Sequence, residues 1–551
     1  LEAATQYDPF YNLAAGEKTD FNGVTTTLVL APDRRSVERI SRGGEREQFG
    51  VNEFGQPVLH VSMQGTESRW GYTLDGYLDS RSVGSLQTLF RYAPLSAGPS
   101  DPGLRGKPSQ VIDPSGVPTL FLHDELDRLV LQEREGLRTS SAFDAAGNLV
   151  RRVSQVETNR AIVEEFAYLS HGFLREHRVR DVEVDGAVSD LVTTYTRDAM
   201  NRVESVTFPG GELRRFGYDH LGRIEREEVP GSHTNLITFD PSGNITAITR
   251  GNAVEHHHYD GHDRLVRVVG ANGTAMEYVR DGNGNVTTNR VVDSEGTLLS
   301  EVRHTFDALN RVREKTLLRD DGLSTVGIEY NTGERSVAVT DALGAVARTV
   351  LDPEGRTARV VAPNHVLEIE RDRSANVTAR RLTDAGGSFV TGYAFNRRNQ
   401  LVAATNSVGG LARFVPELDG RLVLEVDREQ HVSTNVFTLL GEVAGHARPN
   451  GVTEWREFNA ARNIVRFRDA ATNLTLALHD AQNRVVTNRL PNGAQTVFRD
   501  FTVFGQPARI QFPRGVEVEA TYDDDGKLRQ RVVRGGAFPA RTETYEYDGL
   551  R

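Results

Sequence analysis

The sequence predicts an all-β protein: tandem hairpins of about 21 residues joined into one long, spiralling antiparallel sheet. Three observations predict it. A short motif of an aromatic, an aspartate, a glycine or asparagine and an apolar residue recurs in register. A second turn signal falls halfway between successive copies. The segments in between alternate apolar and polar residues, the period of a half-buried strand.

The motif is clearest at Tyr218-Asp219-His220-Leu221-Gly222-Arg223-Ile224. It returns at Phe239-Asp240-Pro241-Ser242-Gly243-Asn244-Ile245 and at Tyr259-Asp260-Gly261-His262-Asp263-Arg264-Leu265. Phe143-Asp144-Ala145-Ala146-Gly147 and Tyr522-Asp523-Asp524-Asp525-Gly526 are equally good copies. The second position falls at Asp198, Asp219, Asp240, Asp260 and Asp281, and further on at Asn396, Glu417, Thr438, Asn459, Asp480, Thr502 and Asp523. A one-residue slip would turn every side chain of a strand to the other face, so this constancy implies a constant hairpin geometry.

Each part of the motif has a mechanical reading. The aromatic ends one strand. The aspartate accepts bonds from backbone N–H groups two or three residues on, closing an Asx-type turn. The following Gly or Asn takes the left-handed conformation, and the next apolar residue opens the following strand. The second turn lies at Asn272-Gly273, Asn450-Gly451, Asn492-Gly493 and Arg514-Gly515. Between turns, Val516, Val518, Ala520 and Tyr522 share one face, with Glu517, Glu519 and Thr521 on the other. A direct pairing of Tyr522 with Leu528 places Glu519 opposite Arg531.

At this period 551 residues hold about 26 units, a ribbon of roughly 250 Å that must coil because strands twist. A hydrophobic content of 38% fits a single-layer wall better than a sandwich with a dense interior. A β-propeller, whose blades are about twice this long, is the minority reading. The motif is weak between about Ser62 and Gln110, and the stretch from Ala93 to Ser109 reads as an inserted loop with four prolines. The chain therefore divides into a degenerate segment, 1–110, and a repeat array, 111–551. The steps from Asp281 to Asp307 and from Asp372 to Asn396 are wider, which predicts longer turns there. The pattern is already under way at Tyr7-Asp8 and still running at Tyr547-Asp548, as in a piece of a longer array.

This pattern resembles the YD repeat of bacterial Rhs proteins, Tc-toxin B and C components and teneurins, over nearly the whole chain. The resemblance implies a hollow β-cocoon of which this chain forms wall, enclosing a C-terminal toxin or effector cargo. It implies an exported, secreted or cell-surface bacterial protein, with that effector and a delivery apparatus as partners. It assigns structural turn roles to Phe143, Asp144, Gly147, Tyr218, Asp219, Gly222, Arg223, Phe239, Asp240, Gly243, Tyr259, Asp260, Arg264, Tyr522, Asp523 and Gly526. No self-cleavage or effector residues of that family are read in these 551 residues. Containment of an unfolded cargo leads to the expectation of a lining face richer in apolar and uncharged residues than the outer face.

Composition and motifs point away from other classes. A net charge of −11 is the wrong sign for nucleic-acid binding. No apolar run is long enough for a membrane-spanning helix. The absence of cysteine removes disulfides, thiolate chemistry and cysteine-ligated zinc. HExxH, P-loop and Gly-x-Ser-x-Gly signatures are missing, so no enzyme role and no cofactor are assigned. His256 and His258 share a strand face and could bind metal as a pair, but no third ligand stands nearby in sequence. Asp281-Gly282-Asn283-Gly284-Asn285 begins like a calcium loop, yet Val292 stands at the twelfth position. The rival from another class is an adhesin whose outer face recognises glycans or another cell, marked by exposed aromatic clusters.

Overall fold

The computed structural model describes residues 6–8, 13–19, 25–31, 35–40, 46–62, 65–92, 106–319, 322–524, 526–535 and 539–547. Most of the loop expected at 93–109, Asp525 and Asp548 lie outside them.

Among the described residues, alternating polarity and turn residues every ten or so positions give 49 strands, from β1 (Gln6–Asp8) to β49 (Arg541–Thr544). Each strand between the first and last pairs antiparallel with the strand before it and the strand after it, so chain order is sheet order. Among the described residues the sole helical element is a single 3₁₀ turn at Pro513–Gly515.

The turns fall into two rows, one along each edge of the ribbon. At the aspartate edge, β19 (Leu213–Tyr218) passes to β20 (Ile224–Val229) through Asp219–Arg223. The first pair beyond that turn, Tyr218 with Ile224, is followed by a register shift to Gly217 with Arg226. The same β-bulge follows Phe143, Phe239, Tyr259 and Tyr522. At the return edge, Thr207 pairs with Leu213 and the register runs on unbroken. A bulge increases local twist. Most aspartate-edge hairpins among the described residues carry it, whereas at the return edge the register shifts only between Gln155 and Glu157, Val179 and Val182, and Val291 and Val292, an imbalance that biases the ribbon to curl in a single sense.

The bulge also corrects one expected pair. Tyr522 does pair with Leu528, but the shift at Thr521/Tyr522 sets Glu519 opposite Val532 and Ala520 opposite Arg531. Glu519 pairs instead with the Arg534 guanidinium. The wider steps also have another cause. The turn at Asp293–Thr297 is of ordinary length, and the extra residues lie in the strands Val286–Val292 and Leu298–Phe306. Likewise Val377–Asp384 and Gly387–Phe395 are long strands joined through only Ala385 and Gly386. Adding paired residues to both arms of a hairpin keeps every backbone group satisfied, whereas a longer loop would not.

The ribbon winds back upon itself. Hydrogen bonds join turns 252 to 277 residues apart, and β16 (Leu174–Val184) lies against β41 (Thr453–Phe458). One revolution thus takes about 25 strands, a circumference of about 120 Å and a diameter of about 40 Å between backbones. Side chains cannot fill a cylinder that wide, so the wall encloses a lumen. In keeping with a single ply, no large side chain among the described residues is fully buried, and the buried apolar residues are chiefly valines and alanines such as Val206, Val229, Val518 and Ala520. These four lie on the face that carries the motif aromatics. The opposite face bears exposed Arg215, Arg226, His256 and His258. Side chains converge on the inside of a curved sheet and lose solvent there, so the aromatic face lines the lumen.

Most residues at the left-handed turn position are glycine or asparagine, but Thr472 holds φ 65° there. A β-branched side chain in this conformation is strained, by about 1–2 kcal/mol. Replacement Thr472→Gly is expected to raise stability by about 1 kcal/mol in urea titration, after the chain-entropy cost of glycine is subtracted.

Candidate functional site

For a wall, the functional elements are its joints: the linkage from each repeat to the next, and the seam between revolutions.

The repeat linkage begins with the aspartate. Asp219 Oδ1 accepts from the backbone N–H groups of Leu221 and Arg223, both at 2.9 Å, so the donors stand two and four residues on rather than two or three. The main chain closes the turn with Gly222 N–H donating to Asp219 O at 3.0 Å, and Gly222 holds φ 82°. Asp219 Oδ2 receives the Arg223 guanidinium at Nε and Nη2, both 2.7 Å. That guanidinium then lies over the next repeat's aromatic, 4.2 Å from the Phe239 ring centroid. It also crosses the next turn closely enough that a Cβ on Gly243 (φ 98°) would sit 3.4 Å from Nη1. One side chain thereby holds its own turn and clamps the following one.

The linkage recurs along the ribbon. Arg202 covers Tyr218, Arg311 covers Tyr330 and Arg484 covers Phe501, each at 4.3 Å, and Arg128 covers Phe143 at 4.7 Å. Asp260 takes Arg264 Nε at 2.8 Å and is followed by Asp263 in the left-handed position (φ 58°). Where asparagine replaces arginine it makes the same two reaches: Asn244 Nδ2 donates to Asp240 Oδ2 at 2.9 Å and to Asp263 Oδ1 of the next turn at 3.0 Å. Asn148 bonds Asp144 in the same manner, ahead of Gly147 at φ 91°. The tyrosine hydroxyls add a rung. Tyr218, Tyr259 and Tyr522 donate to the carbonyls of Val203, Ile245 and Pro507 at 2.7, 3.0 and 3.1 Å. Arg280 and Arg371, standing in the aromatic slot, reach the carbonyls of Leu265 and Thr357 instead. In the last clear copy, Lys527 N–H donates to Asp523 Oδ1 at 2.7 Å and Gly526 takes φ 77°. The sequence exposes the arginine of the motif; its second contact, one repeat onward, is visible only once the strands are paired.

The seam joins the return edge of the first revolution to the aspartate edge of the second. Ser85 N and Oγ donate to Glu354 Oε1 at 2.8 and 3.0 Å. Ser115 Oγ lies 2.5 Å from Ser374 Oγ. Arg398 donates to Glu135 O at 3.1 Å, and Asp185 N–H to Phe458 O at 3.0 Å. Gln482 Nε2 donates to Pro230 O at 2.6 Å and Asn483 Nδ2 to Glu212 Oε2 at 2.8 Å. Where no polar pair forms, the edges touch: a Cβ on Gly210 would stand 2.6 Å from Ala461 Cβ. A cleft of about 610 Å³ opens on the outer face beside this seam, lined by Glu183, Trp455, Glu457, Arg466 and Leu474.

The lining face carries charged groups among its aromatics. Phe49 stacks on His60 (4.7 Å), which bonds Glu47 (3.0 Å), with Arg39 beside it (3.4 Å). Phe166, His177, Glu164 and Arg152 repeat the set at 4.7, 3.0 and 3.4 Å. Pairing lets charged side chains share the inner face with aromatics. Of the metal candidates, His256 and His258 lie exposed on one face of a strand. Asp281 Oδ1 accepts from Asn285 N–H as an ordinary repeat turn. Asp427, Glu429 and His431 come together at a turn tip, and His431 there bonds Asp427 (3.0 Å).

With this geometry described, known proteins can be compared. In the solved TcdB2–TccC3 complex, 96% of this chain superposes on 33% of the matched chain, with a TM-score of 0.57 and 12% identity. The chain has the Rhs/YD-repeat shell fold. A Tc holotoxin pore from Photorhabdus luminescens matches over 96% of this chain and 29% of that one, with a TM-score of 0.48 and 12% identity. In sequence, the YD-repeat chain is 25% identical over 560 residues to the double-stranded DNA deaminase toxin A of Burkholderia cenocepacia strain H111, spanning 97% of this chain and 34% of that protein. No family model matches the sequence. The YD-repeat chain spans about a third of the length of the proteins it matches.

Two predictions follow from the joints. The Arg264 hydrogen bond holds Asp260 well below the usual carboxylate range, and Asn148 and Asn244 do the same for Asp144 and Asp240. A carboxylate depressed by folding contributes its full stability above its unfolded pKa of about 3.9 and loses it as pH falls. Thermal melts should therefore drop steeply between about pH 4 and 2, with Arg264→Ala weakening that drop, below a shallower decline as pH falls through about 6.5, where burial lowers the pKa values of His123, His233 and His479. At the seam, the paired changes Ser115→Cys and Ser374→Cys introduce the chain's only two thiols. They should oxidise to one disulfide that retards unfolding, read as a mobility shift on non-reducing gels.

Proposed function

We propose that the chain is wall material of a toxin-associated shell whose task is containment. The observation that supports this most directly is the two-revolution spiral with a stitched seam around a lumen. An array built for binding along its surface needs no second revolution and no seam. The similarity to a toxin in sequence, and to a Tc-toxin complex in fold, points the same way.

On this reading the wall performs no reaction. The longer parent polypeptide carries a toxin cargo domain inside the lumen and is exported with it by a delivery apparatus. The mixed lining suits such a role. Alternating charged and aromatic groups offer an incompletely folded cargo many weak contacts and no continuous apolar surface on which to lodge. Among the described residues the continuous ladder leaves only its first and last strands with an unpaired edge, and on this reading the wall screens the cargo from proteases.

Limited proteolysis of the full-length protein tests this. The cargo domain should survive protease that digests it rapidly when produced alone, and should become sensitive when the wall is unfolded by acid or urea. Rapid digestion of the cargo with the wall intact would refute containment.

A further inference from the structure

Two departures from the repeat build the cleft beside the seam. The first is a hairpin that overreaches. β16 (Leu174–Val184) and the strand after it, Ala187–Arg197, have 11 residues each, the longest among the described residues. A bulge between Val179 and Val182, with Asp181 at φ 55°, bends the hairpin. Elsewhere on the seam turn tip meets turn tip, as Gly210 meets Ala461. Here the tip passes the edge and lies on the strand Thr453–Phe458. Asp185 N–H donates to Phe458 O at 3.0 Å, and a Cβ on Gly186 would stand 3.6 Å from Glu457 Oε2. This overhang, with Glu183 exposed on it, forms one wall of the cleft.

The second departure is a tryptophan laid flat on the sheet. Trp455 pairs directly with Gly445, and a Cβ on that glycine would fall 2.7, 2.9 and 3.0 Å from Cζ3, Cη2 and Cε3 of the indole. Three adjacent ring atoms at nearly equal distances mean that the ring turns its face, not its edge, to the glycine. Any side chain in place of Gly445 would lift the ring. Its other face stays open, and Trp455 is 44% exposed. Arg468 pairs with Trp455 from the opposite side, exposed and without an ion pair among the described residues. Arg466, one row nearer the seam, donates to Glu457 at 2.7 Å. A single exposed apolar residue is ordinary on any surface. One seated on a glycine, walled by an overlong hairpin and flanked by an unpaired guanidinium forms a concave site with convergent polar groups.

We propose that this cleft binds a saccharide, with an uncharged pyranose ring stacked on the open face of Trp455. A pyranose presents a face of C–H groups, and the negative π-face of an indole attracts them. Its hydroxyls donate and accept at once. They match a lining in which the carboxylates of Glu183, Asp185 and Glu457 accept and the guanidiniums of Arg466 and Arg468 donate. Nucleobases also stack on indole, but three carboxylates against two guanidiniums leave no surplus positive charge for a phosphate. The volume of about 610 Å³ is in the range of small-ligand sites. The cleft lies on the outside of the wall, so this binding is a second function, separate from containment.

A glycan array displaying neutral, acidic and phosphorylated saccharides tests it. The full-length protein is captured on beads so that weak single-site contacts add, and melting temperatures verify that each variant folds. The bound glycans should end in neutral pyranoses. The signal should fall about tenfold or more in Trp455→Ala and in Gly445→Ala, whose added methyl lifts the ring, and about threefold in Arg468→Gln. Arg468 is exposed, so its variant keeps the test decisive where either of the others fails to fold. Trp70→Phe, at the chain's other tryptophan, should bind as the unaltered protein does. Absence of array binding overturns the proposal. So does binding that survives these cleft substitutions, and so does binding confined to acidic or phosphorylated saccharides, which assigns the cleft to anions. Cargo protection from protease is a separate readout and can hold while saccharide binding fails.

Discussion

The structure depends on a guanidinium or amide that serves two repeats at once. A hairpin of 21 residues buries too little apolar surface to hold its shape alone, and a ribbon of such hairpins is only as continuous as the contacts between them. The aspartate fixes the turn by occupying backbone N–H groups that would otherwise face solvent unpaired. The arginine neutralises that aspartate and spends its remaining face on the next aromatic, a contact of about 0.5–1 kcal/mol in an exposed setting. Individually this is a weak interaction. Its repetition at fixed spacing converts local turn chemistry into long-range order, much as stacking does in helical solenoids.

The same device explains how the motif tolerates variation. Asn244 and Asn148 replace arginine with a shorter reach, and Arg280 and Arg371 replace tyrosine by donating to the same class of carbonyl. What persists is a donor that leaves its own turn and an acceptor or ring that receives it one repeat later. Sequence identity between such arrays can fall to 12% while the path of the chain is kept, as in the TcdB2–TccC3 complex.

Much of this architecture was legible in the residues. The period of the motif, the left-handed glycine at Gly222 and the alternation of Val518 and Ala520 with Glu517 and Glu519 all follow from local rules. Three features were not. The bulge beside Tyr522 shifts the cross-strand pairs by one, because a motif marks the turn and not the register beyond it. The long strands near Asp293 and Asp384 looked like long loops, since spacing alone does not say where added residues go. The seam, and with it the bond from Gln482 to Pro230, arises from accumulated twist over some 25 strands, a quantity no local pattern carries.

That seam also imposes an order of events. Every ladder contact is between neighbours in the chain and can form within moments of synthesis, but the contacts that hold one revolution to the next close loops of more than 250 residues. Low contact order along the ribbon and very high contact order across it separate the two steps in time. The lower revolution must be laid down before the upper has anything to rest on, so the spiral grows from one end.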